Sequence, residues 1–207
     1  MVPDLRETVR SLVPEVADGT VELVRIARRE GYRTQLLVRS ADPEVDPVGA
    51  IVGPGGARVR ALVEHLRGEA IDVIPFHEDP ATLLPYAVAP HRVERIVVLD
   101  DALIVVVPDD AFDGIVGEGG QRLPLTSQIV GVRLDLFRRS KVDALESAAR
   151  AWLTERADLP AGVVDRLLRA AVWEPRALVE ADRSWLGQLV GDEAADQLLR
   201  AAAAATP

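Results

Sequence analysis

The stretch IVGPGGARV at residues 51–59 decides the fold, because the chain repeats it as IVGEGGQRL at residues 115–123. Both copies follow the pattern I-V-G-x-G-G-x-R and end in an aliphatic residue, and they begin 64 residues apart. A single G-x-x-G is a weak signal, since glycine pairs close many ordinary turns. The same octet twice predicts an internal repeat, so we expect two copies of one folding unit.

The bulk composition is that of a globular protein with an aliphatic core. Of 207 residues, 48% are hydrophobic and 4% aromatic, and this length allows up to three small domains. The absence of cysteine excludes disulfides, thiolate metal sites and a cysteine nucleophile. The three histidines lack ligand spacing, no apolar run reaches the roughly 20 residues of a membrane helix, and the N-terminus is unlike a signal peptide. The sequence therefore predicts a cytoplasmic protein without a metal, a cofactor or a membrane partner.

The charge of the chain is unevenly distributed. The net charge of −9 argues against broad, non-specific nucleic-acid binding, which depends on basic side chains neutralising phosphates. Residues 1–76 carry 10 basic and 12 acidic side chains, residues 77–137 carry 4 and 10, and residues 138–207 carry 10 and 11. The second repeat is therefore the acidic one, with a net charge of −6.

Each copy predicts the order helix, two strands, two helices joined by the glycine loop, and a strand. In the first copy, apolar spacing predicts a helix over residues 5–16, REGYR is a hairpin turn, and a second long helix covers residues 57–66. In the second copy, Pro85 interrupts the first helix and the hairpin turns at Asp100-Asp101. The repetition makes the glycine loop a shared element of both units.

The chain becomes Ala/Leu/Arg-rich after Phe137, which predicts four or five short helices without strands. Trp152, Trp173 and Trp185 are expected in the core of this small helical segment, since bulky aromatics supply much buried area in small domains. The terminal AAAAATP is expected to be a helix end that frays into a tail.

A glycine loop that leads into a helix presents free N–H groups and the positive end of the helix dipole, which suits phosphates. A P-loop requires a Lys-Ser/Thr pair after the glycines, and a dinucleotide-binding loop requires a preceding strand with different spacing. Neither requirement is met here. A ribonucleotide backbone gripped along a few phosphates fits better, as in GXXG loops that clamp about four nucleotides.

Further residues around the loops carry a family resemblance. They are DPVGA (46–50) running into the first loop, LRGEAIDVI (66–74), EDPATLL (78–84), and in the second copy Gly119-Gly120-Gln121 and Ser127-Gln128. The two units resemble type II KH domains, and the pair resembles the tandem KH region of the NusA family of bacterial transcription factors, from about residue 5 to residue 137. The helical tail is loosely similar to the helix-hairpin-helix-like repeats at the C-terminus of some NusA proteins.

The resemblance implies an α+β fold with a first KH domain at residues 1–76, a second at 77–137 and a small helical domain at 138–207. It also implies single-stranded RNA and RNA polymerase or other transcription factors as partners, in elongation, termination or antitermination. NusA proteins carry an N-terminal polymerase-binding domain and an S1 domain before the KH pair, and we expect neither in this chain, which starts at the helix before the first KH hairpin.

The predicted RNA-binding residues lie in and just after the two loops: Gly53, Pro54, Gly55, Gly56, Arg58, Arg60, Gly117, Gly119, Gly120, Gln121 and Arg122. RNA-binding KH loops usually carry a basic residue at their middle positions, which here are Pro54-Gly55 and Glu118-Gly119. A carboxylate about 4 Å from a phosphate costs roughly 1 kcal/mol in water. We therefore expect the first loop to bind RNA and the second to have lost much of its grip, with Arg58 as the best candidate for a phosphate contact.

Arg28, Arg29 and Arg33, around the preceding hairpin turn, are assigned to the first unit with Arg60, although all these arginines are equally well explained as solvated surface. A second functional hypothesis is a protein-interaction scaffold whose acidic second unit and helical tail dock a basic partner, such as RNA polymerase or another transcription or ribosome factor. The acidic pairs Asp100-Asp101 and Asp109-Asp110 fall at predicted turns, and no nucleophile–base set emerges. We therefore expect no enzyme activity and no small-molecule substrate.

Overall fold

The computed structural model describes residues 5–174, 178 and 181–205. The chain forms two compact units. The first contains residues up to 93 together with 101–103 and 110–134, and the second contains 94–100, 104–109 and residues from 135 onwards. The predicted domain boundaries at residues 76 and 137 stay a prediction, because a compact unit can hold parts of two domains.

The first sheet has the order β1-β2-β3, with β1 at Val21–Arg29, β2 at Arg33–Ser40 and β3 at Ala70–Pro75. β1 and β2 are antiparallel and joined by a tight turn in which Gly31 adopts a φ of +73°. β3 is parallel to β2. A parallel neighbour requires a crossover, which the two helices around the first glycine loop provide.

Four helices accompany the first sheet: α1 at Leu5–Leu12, α2 at Pro14–Ala17, α3 at Pro47–Val52 and α4 at Ala57–His65. Their apolar faces meet the sheet in a core of aliphatic side chains that includes Val9, Leu36, Ile51 and Leu62. The prediction of one helix over residues 5–16 was wrong, because Pro14 holds Val13 in an extended conformation (φ −123°, ψ 99°) and a new helix starts at the proline.

The second copy begins with α5 at Pro80–Ala87. Asp79 caps this helix by accepting from the backbone N–H groups of Ala81 and Thr82. Pro85 lies inside the helix and does not interrupt it, contrary to the prediction. A proline near the end of a short helix removes one backbone hydrogen bond, which this helix tolerates.

The second sheet has the order β4-β5-β6, with β4 at Arg95–Val98, β5 at Ala102–Val107 and β6 at Arg133–Arg138. α6 at Asp109–Val116 and α7 at Arg122–Val130 lie on either side of the second glycine loop. The described residues thus form two three-stranded sheets with helices, and the predicted α+β class with tandem KH units is confirmed.

The second compact unit contains the helical tail, which has α8 at Arg139–Glu155, α9 at Ala161–Arg169, α10 at Arg183–Val190 and α11 at Asp192–Ala205. Trp173 is buried in its core and Trp152 packs against that core. Trp185 is 42% exposed, so its predicted core position was wrong. α10 buries Leu186 and Val190, and a residue next to Leu186 is rotated by about 100° away from that face.

Among the described residues, no helix is long and apolar enough to cross a membrane. The predicted frayed tail falls partly on residues 206 and 207, which lie outside the described residues, as do 175–177 and 179–180 of the segment that resembles the C-terminal repeats.

Candidate nucleic-acid interface

The first glycine loop starts where α3 ends. Asp46 caps α3 by accepting from the Val48 N–H at 3.0 Å, and a Cβ on Gly49 would stand 2.6 Å from the Asp46 carboxylate. The helix stops at Gly53, and a single 3-10 turn over Pro54–Gly56 then leads into α4. DPVGA is thus a cap and a close-packing glycine that fix the helix entering the loop.

The two loops have the same backbone conformation. Gly53 has φ 72° and ψ 169° and Gly117 has 77° and 165°, while Gly55 and Gly119 have φ of 56° and 59°. In each loop the fourth residue donates its N–H to the carbonyl of the first, at 2.9 Å in the first loop and 3.0 Å in the second. L-residues rarely adopt the positive φ of these positions, which explains why the pattern repeats its glycines.

The middle of each loop is exposed: Pro54 and Gly55 in the first, Glu118 and Gly119 in the second. Exposed glycine backbone that leads into a helix N-terminus can receive an anion, because the first N–H groups of a helix have no partner within it. Gln121 follows the second loop half-buried, with its side-chain amide beside Gly119.

The arginine that both repeats share is a brace beneath each loop. Arg58 Nη1 donates to the Ala50 carbonyl at 2.7 Å, and Arg122 Nη1 donates to the Gly114 carbonyl at 3.1 Å. Both bonds reach back eight residues, to the last turns of the helix before the loop. A Cβ on Gly53 would stand 2.6 Å from Arg58 Cγ, and one on Gly117 would stand 2.6 Å from Arg122 Cβ. The repeated arginine therefore ties the two ends of each loop together.

The two braces differ in what else they bind. Arg58 also makes an ion pair with Glu15 at 2.8 Å, and its side chain is 25% exposed. Arg122 is buried, donates through Nη2 to the Ala89 carbonyl at 2.8 Å and lies 3.8 Å from Asp72. Burial lowers the pKa of Arg122 from its ordinary value, and the nearby Asp72 carboxylate acts in the opposite direction.

Arg60 lies at the first loop itself. Its Nη1 donates to the Gly55 carbonyl at 2.6 Å, and the residue is exposed. The sequence predicts Arg58 as the best candidate for a phosphate contact, ahead of Arg60. The contacts favour the reverse order, because the Arg58 guanidinium already serves Ala50 and Glu15. Its phosphate contact stays a prediction, as does that of Arg122.

The hairpin turn with Arg28, Arg29 and Arg33 lies at the far end of α4 from the first loop. His65 and Arg67, at the C-terminal end of α4, share a cavity with Arg28 and Gly31. α4 has nine residues, so its two ends are about 13 Å apart. The arginines of this turn were assigned to the first unit, and the structure places them away from the loop of that unit.

The same turn touches the second loop. A Cβ on Gly117 would stand 2.7 Å from the Tyr32 hydroxyl oxygen. Arg33 bonds Asp72 at 2.6 Å, and Asp72 is also the carboxylate nearest to Arg122. The second loop is thus packed against the hairpin of the first sheet, a long-range contact that spacing along the sequence does not reveal.

Glu69 holds this turn in place from beneath. Its buried carboxylate accepts two hydrogen bonds from Arg28, at 2.9 and 3.1 Å, one from the Gly31 N–H at 3.1 Å, and one from the Thr34 hydroxyl. Burial acts to raise the pKa of Glu69, but these hydrogen bonds and the Arg28 charge outweigh it, so the pKa lies below its ordinary value of 4.5. In the sequence, Glu69 stands out only as a member of the LRGEAIDVI stretch at residues 66–74, and no pattern there predicts these hydrogen bonds.

Comparisons with known proteins agree with the fold. Residues 4–76 match the family described as the NusA-like first KH domain. Over 136 residues the chain is 41% identical to the transcription termination/antitermination protein NusA of Bacillus subtilis (strain 168), covering 65% of this chain and 36% of that protein.

Two other relatives bear the same name. NusA of Halalkalibacterium halodurans is 37% identical over 163 residues, with coverage of 74% of this chain and 43% of the relative. NusA of Mycobacterium tuberculosis (strain ATCC 25618 / H37Rv) is 40% identical over 138 residues, with coverage of 65% and 40%. This chain spans about 36 to 43% of the length of the three relatives. Together, the twin loops, the two three-stranded sheets and these matches identify a NusA-like KH region in this chain.

Proposed function

We propose that the chain binds single-stranded RNA through its KH pair, as the RNA-binding part of a transcription termination or antitermination factor, with the first loop as the stronger grip. One observation carries the proposal: two exposed glycine loops with the same backbone conformation, each braced from below and each leading into a helix. A KH loop of this form holds the phosphates of a few nucleotides by its backbone.

The first loop is the better binder on electrostatic grounds. Its middle positions carry no charge, and the exposed Arg60 guanidinium lies on its rim. The second loop exposes Glu118 at the equivalent of Pro54. A carboxylate near a phosphate is repulsive by roughly 1 kcal/mol in water, whereas an arginine there is attractive.

Arg58 has a positioning role in this proposal. Its Nη1 donates to the Ala50 carbonyl and the Glu15 carboxylate, which ties the end of α3 to α2, and the side chain is only 25% exposed. The contact to phosphate falls to Arg60 and to the loop backbone.

The setting in transcription comes from the relatives, whose printed name is transcription termination/antitermination protein NusA. RNA polymerase and other transcription factors are the protein partners under this proposal, and the cytoplasm is the corresponding location.

The test is fluorescence anisotropy with labelled single-stranded RNA of about eight nucleotides or more, enough for two loops that each hold about four. Arg60→Ala is compared with Arg10→Ala as a control. Arg10 is exposed on α1, and its ion pair with Glu7 is long, with 3.9 Å between Nη1 and Oε1. We expect about fivefold weaker binding for Arg60→Ala, since one charge-assisted contact is worth about 1 kcal/mol, and no change for Arg10→Ala. Absence of binding by the unmodified protein at about 50 mM salt would overturn the proposal.

A protein-interaction scaffold is the second candidate, and an exposed aromatic favours it. Trp185 is 42% exposed on α10, and tryptophans are enriched among residues that dominate protein interfaces. Under this alternative the loops are structural and the partner is RNA polymerase or another transcription or ribosome factor. This candidate requires two results. The unmodified protein captures purified RNA polymerase and Trp185→Ala does not, and the unmodified protein does not bind RNA at low salt.

A further inference from the structure

The hairpin turn of the first sheet lies against the second glycine loop. On this turn, the Arg29 guanidinium and the Tyr32 hydroxyl have no partner among the described residues. We propose that Arg29 and Tyr32 complete the RNA site of the second loop by supplying the cation that the loop lacks. This inference rests on the proposed function, and it changes which residues make up the second site.

The position of Arg29 follows from the strand register. Arg29 pairs with Arg33 across the antiparallel β1–β2 ladder, and directly opposed residues project from the same face of a sheet. Arg33 reaches Asp72 on that face at 2.6 Å, and Asp72 lies 3.8 Å from Arg122, the first residue of α7. Arg29 therefore stands on the face that carries the N-terminus of α7, where the second loop ends.

The same face receives the other end of α7. Arg25, four residues before Arg29 on β1, donates to the carbonyls of Gln128 and Ile129 at 3.1 and 2.5 Å. A cation at the C-terminal carbonyls of a helix is favourable, because it satisfies the last acceptors and the helix dipole. α7 is therefore fixed at both ends to the first sheet, and the place of the second loop relative to the turn is set by both contacts.

Arg29 is available for a ligand. It is exposed, and its side chain makes no ion pair or hydrogen bond with another residue in the described part of the chain. The neighbouring arginines of the turn differ, because Arg28 is bound to Glu69 and Arg33 is bound to Asp72. An exposed, unpaired guanidinium beside a phosphate-binding loop is the chemistry that recognises an RNA backbone.

Tyr32 adds a hydroxyl at the loop. Its oxygen is the side-chain atom that a Cβ on Gly117 would meet at 2.7 Å, and it forms no hydrogen bond to another described residue. A phenol O–H donates to a phosphate oxygen without adding charge. Arg29 and Tyr32 thus offset Glu118, which by itself repels the RNA backbone.

The experiment measures RNA binding by anisotropy at about 50 and about 200 mM salt for Arg29→Ala, with Arg10→Ala as the matched control. We expect Arg29→Ala to weaken binding about threefold at low salt and to reduce the salt slope by about 0.7, the value for one phosphate contact on a single strand. Tyr32→Phe, which keeps the ring and removes only the hydroxyl, is expected to weaken binding about twofold.

A double-mutant cycle locates the site at the second loop. Gly119→Asp adds a carboxylate at a φ of 59° that aspartate tolerates, and Gly55→Asp does the same in the first loop at 56°. In the Gly119→Asp background, Arg29→Ala is expected to weaken RNA binding little further. In the Gly55→Asp background, it is expected to weaken RNA binding by the same factor as in the unmodified protein, because only residues at a shared site couple.

Two outcomes overturn the inference alone. In the first, the unmodified protein binds RNA and Arg29→Ala binds it as tightly as Arg10→Ala does. In the second, Arg29→Ala weakens RNA binding by the same factor in the Gly119→Asp background as in the unmodified protein. Absence of RNA binding by the unmodified protein overturns the proposed function, and this inference with it. Thermal melting of each variant confirms that the fold is retained.

Discussion

The two glycine loops have the same backbone and the same shared arginine, yet their surroundings differ. Arg58 reaches one carbonyl and one partly exposed carboxylate, whereas Arg122 is buried between two carbonyls and lies near Asp72. The first loop has an arginine on its rim, and the second has a glutamate with a hairpin turn beneath it. The repeat therefore preserves how the loop is built, while the elements packed against each loop set the charges that surround it.

Arg122→Ala is expected to have the largest effect on stability. It leaves the Gly114 and Ala89 carbonyls without their donor and removes a buried charge 3.8 Å from Asp72, which should cost about 3 kcal/mol of unfolding free energy. Arg58→Ala is the matched change in the first loop and should cost about 1 kcal/mol, because water can replace a partly exposed ion pair.

The measurement is amide hydrogen exchange in urea, of α6 and α7 peptides for Arg122→Ala and of α3 and α4 peptides for Arg58→Ala. All three tryptophans follow residue 137, so tryptophan fluorescence provides an internal reference for the helical tail. Equal losses of unfolding free energy in Arg122→Ala and Arg58→Ala would contradict the proposed difference in how the two loops are anchored.

Glu69→Gln tests the support that only the second loop has. Glu69 orders the turn that bears Tyr32, and replacing its buried carboxylate should cost about 2 kcal/mol at pH 7. Because the folded-state pKa of Glu69 is lowered, its contribution is present above the ordinary value of 4.5 and is lost as the pH falls through the folded pKa. The difference in unfolding free energy between Glu69→Gln and the unmodified protein should therefore narrow as the pH falls below 4.5.

A suitable control is Glu22→Gln, which breaks an exposed pair with Arg39 on the same hairpin. Exposed pairs contribute little, so stability should change by less than about 0.5 kcal/mol at any pH. If the loss in Glu69→Gln were as small as in this control, or independent of pH, the carboxylate would not hold the turn. Chemical denaturation followed by far-UV circular dichroism at a series of pH values supplies the comparison.

RNA affinity provides the next comparison, through an added carboxylate in each loop. Gly55→Asp should weaken binding about tenfold, since it places charge in the stronger loop, and Gly119→Asp should weaken it about threefold. Anisotropy with the same RNA at low salt measures both. A larger loss for Gly119→Asp would reverse the assignment of the stronger grip to the first loop.

Local features of this molecule could be predicted from the sequence because they depend on neighbouring residues. The glycine positions and the order of strands and helices follow from spacing and turn chemistry. The residue type alone does not reveal the role of Arg58, since a phosphate contact and a bond to Ala50 demand the same side chain. The contact of Tyr32 with the second loop joins segments more than 80 residues apart, and no local pattern contains it.

The 64-residue spacing was the one signal that could have shown the brace. Arg58 and Arg122, and likewise Ala50 and Gly114, are equivalent positions of the repeat. A residue that both units keep, although the surroundings of the two loops differ, is expected to stabilise the backbone that they share. Arg60 is not such a residue, since the second unit has Pro124 at that position, and its role is expected to be specific to the first loop.

Glu118→Gln is the most conservative of these substitutions and the most direct test of the loop charge. Removing one exposed carboxylate near the RNA backbone should tighten binding about threefold at low salt, and the gain should fade as salt screens the repulsion. Glu7→Gln, which neutralises a carboxylate on α1 that is 69% exposed, controls for the change in net charge and should leave affinity unaltered. Anisotropy at several salt concentrations separates the two variants. If both bind RNA like the unmodified protein, the strand does not pass Glu118, and the second loop contributes to the fold and not to the grip.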